Sequence, residues 1–76
     1  MTRDITIRDS RGGTAILDAR DGVTVGQMAL EAAALLGARV GDRDRATLAL
    51  GDRCLHATDP LPGDDEFELV VIGGTV

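Results

Sequence analysis

The chain has no lysine, no tryptophan and no tyrosine, and it holds one phenylalanine, one cysteine and two prolines. Each shortage excludes something. One cysteine, Cys54, rules out an internal disulfide framework. A single aromatic, Phe67, leaves no stacking platform for bases, and a net charge of −5 leaves no phosphate-neutralising patch, so no nucleic-acid partner is expected. No apolar run approaches the length of a membrane span, and the opening MTRDITIRDS has no apolar signal-like core. The expectation is a cytoplasmic protein with no membrane partner. The absence of lysine means that all eight basic residues are arginine, and that the chain cannot accept a lysine-linked copy of itself.

What remains is ordinary for a folded protein: 43% apolar and 28% charged residues in 76 positions. That length holds one core, and a chain so short buries only about 60–65% of its unfolded surface. The core must be built from Leu, Ile, Val, Ala and Met. Little volume is left for a deep pocket, which favours a binding or carrier role over an enzyme, with no cofactor.

Ile5 and Ile7 alternate with polar neighbours over residues 4–9, the pattern of a half-buried strand. Ser10-Arg11-Gly12-Gly13 then predicts a hairpin turn with both glycines at positive φ. A second strand is expected over 14–20, with Ala15, Leu17 and Ala19 inward and Ile16 breaking the alternation. Thr24 as N-cap with Gln27 three positions later forms a capping box. Val25, Met28, Ala29, Ala32, Leu35 and Leu36 give one buried helical stripe, and Gly37 suits a left-handed C-cap. The helix is placed at 25–36.

A polar loop is expected over 38–45, then a strand over 46–50 with Leu48 and Leu50 inward. A short half-buried strand follows, Cys54-Leu55-His56. Residues 59–64 form a turn-rich loop anchored by Leu61. The last strand, 66–72, is almost continuously apolar, with Phe67, Leu69 and Val71 assigned to the core. Such a strand belongs at the centre of a sheet. A final strand beside the first, with one helix across the sheet, is an α+β β-grasp fold with a mixed four- to five-stranded sheet. The domain is assigned to residues 1–72 and a Gly-Gly-Thr-Val tail to 73–76.

With those elements placed, the chain resembles ubiquitin and the prokaryotic sulfur carriers of molybdopterin and thiamine synthesis. The resemblance rests on Thr24-Val25 at the helix start and on Leu48-Ala49-Leu50-Gly51-Asp52-Arg53-Cys54-Leu55. It also rests on the run Asp59-Pro60-Leu61-Pro62-Gly63-Asp64-Asp65-Glu66-Phe67-Glu68-Leu69, which is closer to the sulfur carriers, as is the short connection before the last strand. Gly73-Gly74 falls at the functional tail of those families.

The resemblance implies that the carboxyl of Gly74 is activated with ATP as an acyl-adenylate by an E1-like adenylating enzyme, and that Gly73 gives a slim approach to it. Glycine suits this task because a segment without Cβ can thread a narrow channel. Thr75 and Val76 follow, so a processing peptidase must cut between Gly74 and Thr75. Three functions stay open. The first is a bacterial, ubiquitin-like protein modifier, passed on through an E2-like enzyme and joined to target proteins by an isopeptide bond. The second is a sulfur carrier with a Gly74 thiocarboxylate. The third is a non-conjugated interaction module. Only three residues separate Leu69 from Gly73, about two fewer than the families have, so the glycines also read simply as the end of a strand. The resemblance places Ser10, Ala49 and Val70 at ubiquitin's apolar recognition patch, where only Val70 keeps bulk, so partners that read ubiquitin there should bind this chain poorly; Ala49, Val70 and Ile72 are the expected partner surface.

Other constellations carry less. Cys54 and His56 are two apart, but no third ligand or orienting carboxylate joins them. Asp42, Asp44 and Asp52 alternate with Arg43 and Arg45, the mark of a solvated loop rather than a metal site. Gly12-Gly13 lacks the helix start and Lys-Ser/Thr of a phosphate loop.

Overall fold

A computed structural model describes residues 3–73. β1 (Arg3–Arg8) and β2 (Thr14–Ala19) form an antiparallel hairpin with Ile5 opposite Leu17 and Ile7 opposite Ala15. Asp9 organises the turn: its carboxylate accepts from the backbone N–H of Gly13 at 2.7 Å and of Arg11 at 2.9 Å. Of the two glycines expected at positive φ, only Gly12 (φ 87°) is there. Gly13 is constrained by space instead. A Cβ on it would lie 2.9 Å from Asp9 Oδ2 and 3.0 Å from Leu36 Cδ2.

The helix α1 spans Val25–Leu36, as its end signals predict. Its first N–H groups, which no helical turn can satisfy, are all accounted for. Val25 and Gly26 donate to the carbonyls of Asp59 and Ala57, at 3.0 and 2.9 Å. Gln27 donates to Thr24 Oγ1 at 3.2 Å, and Gln27 Oε1 accepts from Thr24 N at 2.9 Å. The helix start is thus sealed by its cap and by the loop before the last strand. At the other end Gly37 (φ 71°) closes the helix in the left-handed conformation.

β3 (Arg45–Leu50), β4 (Arg53–Cys54) and β5 (Glu66–Ile72) complete one five-stranded sheet in the order β2-β1-β5-β3-β4. β5 is central, parallel to β1 and antiparallel to β3. With α1 packed across one face, this is the mixed α+β β-grasp arrangement. Ile5, Ile7, Leu48, Phe67 and Leu69 face Val25, Met28, Ala29, Ala32 and Ala33 of the helix. Fully burying a side chain such as Ile7 or Leu48 contributes roughly 1.5–3 kcal/mol.

Several expectations are corrected. Leu35 is 65% exposed. At 100° per residue it falls to one side of the stripe centred on Val25, Ala29, Ala32 and Leu36, and Ala33 takes the buried place. Val71 is also exposed, because it lies next to the end of β5 and the side chain opposite it, Ala46, is too small to cover it. β3 begins one residue early, at Arg45, and β2 stops at Ala19. β4 ends at Cys54, whose side chain is exposed rather than half-buried. Leu55 still donates its N–H to the Leu48 carbonyl at 2.8 Å, but its own carbonyl accepts from Thr47 Oγ1 at 2.6 Å, and the ladder stops. That bond also satisfies Thr47, the buried polar residue of β3. No helix among the described residues is long and apolar enough to cross a membrane.

Candidate functional site

The position that matters most to the sequence reading is the exit from β5. Phe67 and Leu69 anchor the strand in the core, and β1 and β3 flank it. Ile72 is its last residue, paired with Arg45 at the start of β3, and Gly73 follows, exposed. Among the described residues, a Cβ on Gly73 would meet Asp44 Oδ1 at an ordinary 3.9 Å. Asp44 belongs to a tight turn in which its carboxylate accepts from Gly41 N at 2.9 Å and its own N–H donates to the Gly41 carbonyl at 3.0 Å. Gly73 therefore leaves a paired strand beside a hydrogen-bonded turn. Gly74 and Thr75, the expected activation and cleavage positions, lie outside the described residues.

Next to this exit lies a shallow groove of about 440 Å³, walled by Leu30, Val40, Ala46 and Ala57, with Asp44 and Arg45 at its rim. Leu30 is 55% exposed. The sequence reading did not single out this groove. Its one local signal was Leu30, an apolar residue away from the buried stripe of α1. A second cleft, of about 330 Å³, lies at the far end of the hairpin between Arg3, Arg20, Asp21 and Leu61.

The expected partner surface is brought together only in part. Val70 and Ile72 share the face of β5 that points away from α1; Val70 is half-buried and Ile72 is 51% exposed. Ala49 is 5% exposed, its small side chain set between Glu68 on β5 and Cys54 on β4. Surface at that point is supplied by its neighbours. Along β5 the outer face thus runs from Glu66 and Glu68 to Val70 and Ile72, acidic at its start and apolar at its exit.

Cys54 and His56 do not share a strand face, because β4 ends between them. Both are exposed, and no group of three or more metal-ligating side chains occurs among the described residues. The ion pairs Arg3–Asp65, Arg8–Glu66 and Arg20–Glu31 span 3.9, 3.7 and 3.4 Å and are exposed, so each contributes little to stability. Asp4 has its pKa raised, chiefly by a hydrogen bond with Asp18, then by the charge of Asp18.

No family model, curated protein or solved structure matches the chain.

Proposed function

We propose that this chain is a ubiquitin-like protein modifier of prokaryotic type, cut after Gly74 and joined to target proteins through the Gly74 carboxyl. The observation that supports it is the hand-over at the end of β5. A central strand fixed by core residues gives way at Ile72 to exposed Gly73, beside the Asp44 turn. The reading needs cleavage after Gly74 whatever follows it.

The chemistry is a sequence of acyl transfers. An E1-like enzyme joins the Gly74 carboxylate to the α-phosphate of ATP, releasing pyrophosphate. A thiol then displaces AMP to give a thioester, and a target lysine amine displaces the thiol to give an isopeptide bond. The chain contributes a carboxyl made electrophilic and a segment slim enough to reach another protein's catalytic groups. Val70 and Ile72, beside the exit, are the surface from which a partner would orient the tail.

The test uses the unaltered chain. After conjugation in cells of the source organism, a glutamate-specific protease cuts after Glu68 and leaves residues 69–74 on the acceptor lysine. The chain has no lysine of its own, so every such lysine belongs to another protein. Lysines bearing this remnant that disappear with Gly74→Pro are expected. Their absence while the chain accumulates unshortened would overturn the proposal.

The sulfur-carrier reading is favoured by one feature. Residues 55–65, which link β4 to β5, contain no helix, in keeping with the short connection on which that resemblance rests. It predicts a chain ending at Gly74 with one carboxyl oxygen replaced by sulfur, which intact mass resolves.

A further inference from the structure

The two edges of the sheet are unlike. β4, at one edge, is two residues long, and so offers a neighbouring strand almost nothing. β2, at the other, is a regular six-residue strand without proline or basic residue, and it carries the most exposed large apolar side chain among the described residues, Ile16 at 68%. Natural sheets commonly protect such an edge with lysine, proline or bulges; here Asp18 is the one charge within the strand.

The hydrogen-bonding direction of that edge follows from two bonds. Asp9 N donates to the Gly13 carbonyl at 2.9 Å, which makes 9–13 a hydrogen-bonded pair of the hairpin. Pair types alternate along an antiparallel ladder. Pairs 7–15, 5–17 and 3–19 are therefore hydrogen-bonded, and 8–14, 6–16 and 4–18 are not. Thr6 N confirms the phase, since it points away from β2 and donates to Asp65 O at 2.7 Å. The N–H and C=O groups of Thr14, Ile16 and Asp18 consequently face outward along the free edge.

We infer that this edge joins two copies of the chain, β2 against β2, antiparallel about a two-fold axis at Ile16. Side chains opposite one another must share a face, so even positions face even positions. Among such registers, the one centred on Ile16 uses every outward N–H and C=O of Thr14, Ile16 and Asp18 within β2 itself. Centring on Ala15 or Leu17 instead requires Gly12, at positive φ in the turn, or Arg20, beyond the strand. The chosen register sets Ile16 against Ile16 on the outer face. It sets the Thr14 hydroxyl against the Asp18 carboxylate of the second copy, donor to acceptor, and no like charges face each other.

On the inner face it sets Ala15 against Leu17, small against large. Leu35 lies one turn beyond Glu31, which pairs with Arg20 at the end of β2, so the exposed apolar flank of α1 overlooks the same edge. This surface is small beside the roughly 1,600 Å² of a standard stable interface, so association is weak and follows concentration. Each copy carries a net charge of −5, so salt strengthens it by screening repulsion.

Sedimentation equilibrium of the full chain across micromolar to millimolar concentration is the test, with amide exchange followed residue by residue. A monomer–dimer equilibrium is expected, with exchange at Thr14, Ile16 and Asp18 slowing as concentration rises. Ala15, Leu17 and Ala19, already bonded to β1, should not respond. Ile16→Lys places like charges on the axis, and Ile16→Pro removes the axial N–H without touching the β1 ladder; both should be monomeric. If the proline variant unfolds, the lysine variant decides. A wild-type monomer throughout overturns the inference, even one whose edge takes up an extended peptide from another protein. A dimer that Ile16→Lys leaves intact overturns it equally.

Discussion

Asp4 and Asp18 stand directly opposite each other across β1 and β2, at a pair where the backbones make no mutual bond and the side chains approach most closely. When Asp4 is protonated its carboxyl can hydrogen-bond Asp18, and this, more than the charge of Asp18, raises the pKa of Asp4. The native state thus holds the Asp4 proton more tightly than the unfolded chain does. The favourable contact is complete at acid pH and is lost as pH rises through the raised pKa, leaving two like charges face to face. Asp4→Asn should therefore raise the thermal midpoint at neutral pH, with an advantage that shrinks as pH falls into the ordinary aspartate range. An advantage that is the same at every pH would contradict this account.

Thr24 and Gln27 close the helix start on each other. Thr24→Ala removes the acceptor of the Gln27 N–H and should cost about 1 kcal/mol. For a domain of this size that lowers the midpoint by roughly 4–8 °C. Thr24→Ser keeps the oxygen and should recover most of the loss. Thermal unfolding of the pair of variants separates the cap from the packing of the threonine methyl group.

The helix was legible in the sequence to the residue because its ends are specified locally, by Thr24 with Gln27 and by Gly37. The central place of β5 was legible because a run such as Phe67–Ile72 has few polar positions to show to water. What failed depended on distant parts of the chain. Periodicity could not choose between Leu35 and Ala33, since both flank the stripe and the sheet decides which side is covered. The end of β4 depends on a hydroxyl from β3 taking the Leu55 carbonyl, and neither propensity nor alternation reports that. For the candidate site, exposed Gly73 and Ile72 were readable from their place after the last strand. The burial of Ala49 was not, because Glu68 and Cys54 reach it only through the sheet order. Ile16 was noticed as a break in alternation, but only the topology shows that its strand is a free edge.

Leu48 and Leu35 are the same residue type with opposite prospects. Leu48 is fully buried between α1 and the sheet, and Leu48→Ala should cost about 2–5 kcal/mol. Against a total of roughly 5–15 kcal/mol that is a large share of the stability. Leu35→Gln alters an exposed site and should stay within about 0.5 kcal/mol of the parent. Denaturant midpoints of dilute protein compare the two directly. A large loss at Leu35 would show that the helix flank is covered in the monomer.

Gly26 sets two effects against each other. It is the second residue of α1, where exchange for alanine gains at most the roughly 1 kcal/mol of propensity found in a helix interior. Here the new Cβ would lie 3.0 Å from both the Cβ and the carbonyl oxygen of Ala57. The oxygen cannot easily give way, because it accepts the Gly26 N–H at 2.9 Å and because Asp59, two residues on, is tied to Val25 N at 3.0 Å. Moving the loop back would weaken both bonds, and each leaves an orphan donor at the helix start, at about 1–3 kcal/mol where water cannot replace the partner. The steric effect should win, so Gly26→Ala is expected to lower stability despite its propensity. Faster exchange of the Val25 and Gly26 amides should accompany the loss. A stabilised variant with both amides still protected would mean that the 55–65 connection yields freely and does not fasten the helix start.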